Sequence, residues 1–86
     1  MPFYVYIIRS LKDNSYYKGF TENYERRLEE HNQGLSKYTA GKMPWVLVHV
    51  EEHPDKSTAL RREKNIKKAD RMRLEAIINS SRNILR

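Results

Sequence analysis

Two short runs of β-branched and aromatic residues are the segments of this chain best suited to form strands. The run FYVYII covers residues 3–8 and is apolar on both faces, which suits a buried strand. The run WVLVHV covers residues 45–50 and is the strongest strand signal in the sequence. With 86 residues the chain has room for one small domain. A chain of this size buries only about 60% of its unfolded surface, so the core must be modest.

A hairpin and then a helix are predicted between these runs. Residues 12–15 (KDNS) have turn chemistry, so residues 16–20 can return as a second strand. Thr21 or Asn23 can cap a helix that runs to about Asn32, with the next glycine as its stop.

This first helix is expected to bury Tyr24, Leu28 and His31, which are spaced four and three residues apart. Arg27 falls beside that buried stripe, so it is difficult to explain as a simple surface residue. The polar, glycine-bearing stretch at residues 34–44 is expected to be a loop or a short helix.

Two further helices are predicted after the second apolar run. Asp55 or Ser57 can cap a long helix, and residues 71–78 can form a final one. Glu63 lies on the apolar face of the long helix, three residues from an apolar side chain in each direction. A carboxylate on such a face is buried only when it is paired or bound to a metal.

The elements follow the order β-β-α-(short α)-β-α-α in a single domain, which is expected to cover residues 1–79 with a frayed tail at 80–86. No apolar run approaches the roughly 18 residues of a membrane span, and we see no signal-peptide pattern, so we expect a cytoplasmic protein. The chain has no cysteine, which excludes disulfides, thiolate catalysis and cysteine zinc sites. Neither a glycine-rich phosphate loop nor a nucleophile elbow is present.

The positive charge of the chain is concentrated in one segment. Residues 56–73 contain eight basic and two acidic residues, which accounts for the whole formal net charge of +6. Such a segment points to a polyanionic partner such as nucleic acid, although a solvated helix face is the alternative. Binding to an anionic membrane is disfavoured, because the segment lacks a large aromatic or leucine-rich face.

Four side chains are difficult to explain by structure alone when they are considered together. Tyr6 and Tyr17 fall on neighbouring strands, and Arg27 and Glu63 fall at or beside buried helix faces. Each has an ordinary explanation by itself: tyrosines are common in cores, and Arg27 could pair with Glu63. In combination, they are typical of a phosphodiester site built around one divalent cation.

The order of these residues resembles that of the GIY-YIG endonuclease superfamily. The resemblance rests on Tyr4-Val5-Tyr6, on Tyr17-Lys18-Gly19, on Arg27 within ERRLEEHN and on Glu63 within ALRREKNIKK. It is strongest to small single-domain bacterial members, similar to the nuclease domain of the bacterial excision-repair incision subunit. Two departures are Tyr4, where the motif has glycine, and Glu75, where some relatives have asparagine.

The resemblance implies an α+β fold, with a small three-stranded antiparallel sheet flanked by helices. It also implies hydrolysis of DNA phosphodiester bonds to 5′-phosphate and 3′-hydroxyl ends, in DNA repair or recombination. Glu63 would hold one Mg²⁺ or Mn²⁺, and Arg27 would donate to the phosphoryl oxygens. One of Tyr6 and Tyr17 would take a proton from the attacking water while the other orients it. His31 would relay a proton or simply pack against the sheet.

The DNA contacts are expected on the loop after the first helix and on the basic segment. Tyr38 could stack on an unpaired base or cap the edge of the core. We expect weak sequence preference, with branched or single-stranded DNA as substrate or a partner protein supplying specificity. The alternatives are a non-catalytic nucleic-acid-binding module of the same fold and a basic protein-interaction domain. The predicted contact residues are Lys18, Lys37, Tyr38, Thr39, Lys42, Arg62 and Lys67.

Overall fold

A computed structural model describes residues 2–85 and contains the predicted elements in the predicted order. None of its helices is long and apolar enough to cross a membrane within those residues. The elements are strands β1 (Phe3–Ser10), β2 (Tyr16–Thr21) and β3 (Trp45–His53), helices α1 (Tyr24–Asn32), α2 (Lys56–Lys67) and α3 (Arg71–Ile78), and a 3-10 turn at Ala40–Lys42.

The three strands form one antiparallel sheet in the order β2-β1-β3, so β1 is central and β2 is an edge strand. On β1, Tyr6 pairs with Gly19 of β2 and with Val50 of β3. The pairing with β3 shifts between Ile7 and Ile8, where the ladder is irregular. The α+β fold with a small three-stranded antiparallel sheet is therefore confirmed.

Helices cover both faces of the sheet. On one face, Tyr6 and Ile8 pack with Trp45 and Val50, and Leu28 of α1 covers them. The opposite face carries a second cluster, in which α2 and α3 cover β1. Its buried members are Val5, Ile7, Ala59, Ile66 and Leu74. Alternation along β1 thus sends successive side chains to different cores.

Side-chain caps set the starts of α1 and α2. Asn23 accepts a hydrogen bond from the Arg26 backbone N–H at 3.1 Å, and Asp55 accepts one from that of Thr58 at 2.9 Å. Asn23 and Asp55 are thus the caps, rather than Thr21 or Ser57. Gly34 adopts φ +76° just after α1, a left-handed conformation that favours glycine.

The prediction of a frayed tail at 80–86 is wrong for the residues described, which end at 85. Asn83 is buried, and its side chain bonds to the backbone of β3: Oδ1 accepts from Val50 N–H at 3.2 Å and Nδ2 donates to the Val48 carbonyl at 2.9 Å. The Ile84 N–H also donates to the Val50 carbonyl at 2.9 Å. These bonds satisfy backbone groups at the outer edge of the sheet, so the segment is part of the fold.

Candidate active site

Tyr6 extends across the face of the sheet toward the edge strand β2. A Cβ atom at Gly19 would lie 2.6 Å from the Tyr6 hydroxyl oxygen and 2.8 Å from Cζ, closer than side chains tolerate. The missing side chain at Gly19 therefore provides the space that the Tyr6 phenol occupies. The ring is buried, and its hydroxyl lies where groups from both sides of the sheet can act on it.

Replacing Gly19 with alanine is expected to displace Tyr6 and to lower the free energy of unfolding by about 1–3 kcal/mol, the usual cost of overpacking. Gly41→Ala is the matched control, because no atom lies within 4 Å of a Cβ placed there. Thermal or urea unfolding of the two variants checks this expectation. Equal stability of Gly19→Ala and Gly41→Ala would show that the Tyr6 phenol does not need the space.

His31 of α1 links Tyr6 to the loop after the helix. Its Nε2 lies 2.9 Å from the Tyr6 hydroxyl and its Nδ1 lies 2.7 Å from Thr39 Oγ1. Thr39 donates its own proton to the Ser36 carbonyl at 3.4 Å, so its oxygen is left to accept from Nδ1–H. With the imidazole proton on Nδ1, Nε2 is the acceptor for the Tyr6 O–H.

This geometry corrects the expectation that Thr39 contacts DNA. Thr39 is fully buried and hydrogen-bonded to His31, so a phosphate cannot reach it. The residue instead holds the imidazole in place. Its neighbour in sequence, Tyr38, has the opposite environment and is 82% exposed, so it does not cap the core.

The second tyrosine packs beside His31. The ring centroids of Tyr17 and His31 are 5.1 Å apart in an edge-to-face arrangement, and Trp45 lies 6.5 Å from Tyr17 on another side. Tyr17 is half-buried, whereas Tyr6 is buried. Two phenols and one imidazole thus form a contiguous cluster at the junction of β1, β2 and α1.

Arg27 lies one helical turn before His31 and is paired within its own helix. Its Nη1 donates to Glu30 Oε1 at 2.9 Å, and this hydrogen bond raises the pKa of Arg27. The alternative pairing of Arg27 with Glu63 is therefore not formed. The Arg27 guanidinium also lies close enough to the Tyr6 hydroxyl to lower the pKa of that phenol. About a third of the Arg27 side chain is exposed, so a phosphate can approach it.

Glu63 approaches from the opposite face of the sheet, on α2. It is nearly buried, as its position on the apolar face predicted, and its one ion-pair partner within residues 2–85 is Lys67, with Nζ at 3.6 Å. The charge of the Glu63 carboxylate acts on the Tyr6 hydroxyl and raises its pKa. The Tyr6 hydroxyl, over Gly19 of the edge strand, is therefore a group on which charges from both α1 and α2 act.

Burial governs the protonation of the central pair. It raises the pKa of Tyr6 to about 12. Tyr17 and Glu63 raise this pKa further, whereas Arg27 lowers it. Burial also lowers the pKa of His31 to about 4, assisted by the positive charge of Arg27. At neutral pH both groups are uncharged, and the hydrogen bond between them joins a neutral phenol to a neutral imidazole.

Acidification is expected to destabilise the protein while His31 titrates. The ordinary His pKa is 6.5 and the folded value is about 4, so the unfolded chain binds more protons in that interval. The free energy of unfolding should therefore fall as pH drops from about 6.5 to 4, by roughly 2–3 kcal/mol. Urea unfolding across this range checks the slope, and His31→Asn should flatten it. A parent protein whose stability is constant from pH 6.5 to 4 would contradict the assignment.

Arg62 holds α2 to β3 through a buried carboxylate. Its Nε and Nη2 donate to Glu51 at 2.9–3.2 Å, and Glu51 also meets His49 at 2.8 Å and His53 at 3.3 Å. Burial alone would raise the pKa of Glu51, but the hydrogen bonds from His49 and Arg62 lower it to about 2. The predicted DNA contact of Arg62 stays a prediction, and Glu51 already takes the Nε and Nη2 donors of its guanidinium. Two-residue alternation from His49 could have placed Glu51 on the buried face.

The remaining predicted contact residues differ in their availability. Lys37 is exposed and makes no ion pair with any residue between 2 and 85. Lys42 pairs with Asp13 at 3.3 Å, and Lys67 pairs with Glu63. Lys18 is half-buried on β2, where alternation directs it to the face that α2 covers.

The described part of the chain contains no group of three or more His, Asp or Glu side chains that could hold a metal ion. Of the carboxylates near the site, Glu30 is paired with Arg27, and Glu63 is the one whose charge acts on the Tyr6 hydroxyl. One carboxylate suits Mg²⁺ or Mn²⁺, which keeps water and substrate phosphate oxygens as its other ligands.

Comparison with known proteins assigns the class. A sequence model of the GIY-YIG catalytic domain matches residues 2–75, and the chain belongs to the GIY-YIG family, a nuclease superfamily. Its relatives include small members of that family called UPF0213 proteins. One from Natronomonas pharaonis is 43% identical over 76 residues, covering 87% of this chain and 88% of that protein. One from Staphylococcus haemolyticus is 51% identical over 65 residues, covering 74% and 78%.

A solved structure supports the same relationship. The solution NMR structure of a UPF0213 protein from Bacillus halodurans is 35% identical, with a TM-score of 0.62. The match covers 99% of this chain and 90% of the other. The structural match thus extends along nearly the whole chain.

Proposed function

We propose that this protein is a divalent-metal-dependent endonuclease that hydrolyses DNA phosphodiester bonds, leaving 5′-phosphate and 3′-hydroxyl ends. The observation that carries the proposal is the cluster of Tyr6, Tyr17 and His31, on which the charges of Arg27 and Glu63 act although these residues lie far apart in sequence. A guanidinium, two phenols and one carboxylate can together supply a phosphate-oxygen donor, a base for water and a cation ligand for phosphodiester hydrolysis. GIY-YIG membership supports the same activity.

The chain's own residues divide the work as follows. Arg27 donates to the non-bridging phosphate oxygens, where negative charge increases in the transition state. Of Tyr6 and Tyr17, one takes a proton from the attacking water and the other orients that water. His31 Nε2 accepts the hydrogen bond from Tyr6, so a proton that leaves this phenol has an acceptor 2.9 Å away. The phenol pKa of about 12 must fall before Tyr6 can act as a base, which a nearby cation promotes.

Glu63 is the residue that would hold the Mg²⁺ or Mn²⁺. Its carboxylate accepts no side-chain hydrogen bond among residues 2–85 and has the Lys67 ammonium as an ion-pair partner at 3.6 Å, so oxygen lone pairs remain for a hard cation. A cation bound there supplies polarisation of the phosphoryl group and stabilisation of the leaving oxygen.

Exposed lysines would bind the phosphates of the DNA. Lys37, Lys42 and Lys67 are the exposed members of the predicted set, and half-buried Lys18 stays in the proposal on β2. No long base-reading element is apparent, so we expect weak sequence preference, a role in repair or recombination in the cytoplasm, and specificity from DNA structure or a partner protein.

Incubating purified protein with plasmid and branched DNA tests the proposal. We expect nicking in Mg²⁺ or Mn²⁺ and none in EDTA, together with a steep fall in DNA affinity between low and physiological salt. Salt-sensitive binding without cleavage would favour the alternative function, a non-catalytic nucleic-acid-binding module of the same fold. Salt-insensitive behaviour would point instead to a protein-interaction domain.

A further inference from the structure

The loop between α1 and β3 is held rigidly to the active site on its inner side. Thr39 Oγ1 bonds to His31 at 2.7 Å, and the Thr39 carbonyl accepts from Trp45 Nε1 at 3.0 Å. Further along, the Lys42 carbonyl accepts from Ser10 Oγ at 2.7 Å. These buried contacts fix the loop relative to the residue that bonds Tyr6.

The outer side of the same loop presents an aromatic ring to solvent. Tyr38 is 82% exposed, although its neighbour Thr39 is fully buried. Lys37 precedes it as an exposed cation with no ion pair among the described residues. An exposed aromatic ring beside an exposed cation can bind one nucleotide of a nucleic-acid strand. The base would stack on the ring, and the phosphate would bind the cation.

We propose that Tyr38 is a stacking platform for an unpaired nucleobase of the DNA strand bound at the active site. The substrate class is then DNA with unpaired nucleotides beside the cut, rather than continuous duplex. A base inside a duplex has neighbours on both of its faces, so a blunt duplex offers a free base face only at its two ends, whereas a single strand can offer one at each unstacked nucleotide. Tyr38 directly precedes Thr39, which bonds to His31, and consecutive Cα atoms are about 3.8 Å apart. The backbone of Tyr38 therefore lies next to the residue that positions His31. The inference rests on the proposed endonuclease function.

Binding without cleavage provides the test. Affinities for a fluorescently labelled single strand and for a blunt duplex of the same sequence are measured in EDTA, in a Glu63→Gln background. Tyr38→Ala should weaken single-strand binding roughly tenfold or more, within the range measured for one stacked base, and change duplex binding less than twofold. Tyr38→Phe should retain single-strand affinity. Met72→Ala is the matched control, because Met72 is 81% exposed on α3, across the sheet.

A direct optical readout comes from Tyr38→Trp. The native Trp45 is buried, so the new indole is the one that a strand can reach. Its fluorescence should be quenched by the single strand and far less by the blunt duplex.

Parent-like single-strand affinity of Tyr38→Ala would overturn the inference, as would an equal loss of affinity for both DNAs. A third contradicting result is a lower sedimentation coefficient of Tyr38→Ala than of the parent, which would assign Tyr38 to self-association. Because metal is absent from every arm, failure of stacking does not depend on cleavage. Failure of cleavage would equally leave the stacking readout intact.

Discussion

Replacing Glu63 with glutamine is expected to reduce metal-dependent DNA cleavage to the level seen without metal. The loss should be at least as large as the roughly 10²–10³-fold effect of removing one transition-state contact. Glutamine keeps the shape of the side chain but removes the charge that a cation needs. Because Glu63 is nearly buried on the face of α2 that packs on the sheet, thermal unfolding must accompany the rate measurement. DNA affinity in EDTA should be unchanged within a fewfold.

Glu29→Gln is the matched control for this change. Glu29 is an exposed carboxylate on α1, and its removal alters the net charge equally without touching the site. Cleavage by the Glu29 variant should stay near the parent rate. Equal cleavage by parent and Glu63→Gln, purified in the same way, would mean that the activity comes from elsewhere.

Replacing Arg27 with alanine should lower the cleavage rate by roughly 10²–10³-fold, because the phosphoryl oxygens lose a guanidinium donor as their charge increases. Arg26→Ala offers an unusually close control. Both arginines are on α1 and both pair with Glu30, at 2.9 Å for Arg27 and 3.4 Å for Arg26. Arg26 is 76% exposed, however, and only Arg27 acts on the Tyr6 hydroxyl.

Rates for the two variants, measured at saturating DNA, separate chemistry from binding. Arg26→Ala should remain within a fewfold of the parent, and Arg27→Lys should recover only part of the activity, because lysine cannot offer two parallel donors. Similar losses in Arg26→Ala and Arg27→Ala would assign both residues to general electrostatic attraction of DNA.

Local chemistry made the elements of this fold predictable from sequence. Asn23 and Asp55 start helices because their side chains accept backbone N–H bonds a few residues away, a pattern visible within four residues. Helical spacing likewise placed Glu63 among apolar neighbours, and its near burial agrees. Strand ends were less certain: β3 continues to His53 because residues after the apolar run still pair with β1.

Contacts between residues far apart in sequence could not be predicted from local sequence patterns. The bond from Thr39 to His31, the capture of Arg62 by Glu51 and the anchoring of β3 by Asn83 each depend on where two elements meet in space. Residue type alone made Thr39 resemble a DNA contact and made residues 80–86 resemble a frayed end. The close approach of Tyr6 to Gly19 is also a property of strand pairing, which a linear spacing does not reveal.

Paramagnetic broadening by Mn²⁺ in the NMR spectrum is the most direct test of the claim that residues from both faces of the sheet share one metal-dependent site. Substoichiometric Mn²⁺ should broaden amide signals around Glu63 on α2 and around Gly19 on β2, and Glu63→Gln should abolish both effects. Broadening centred on Glu51 and Glu52 instead, or unchanged by Glu63→Gln, would contradict the account.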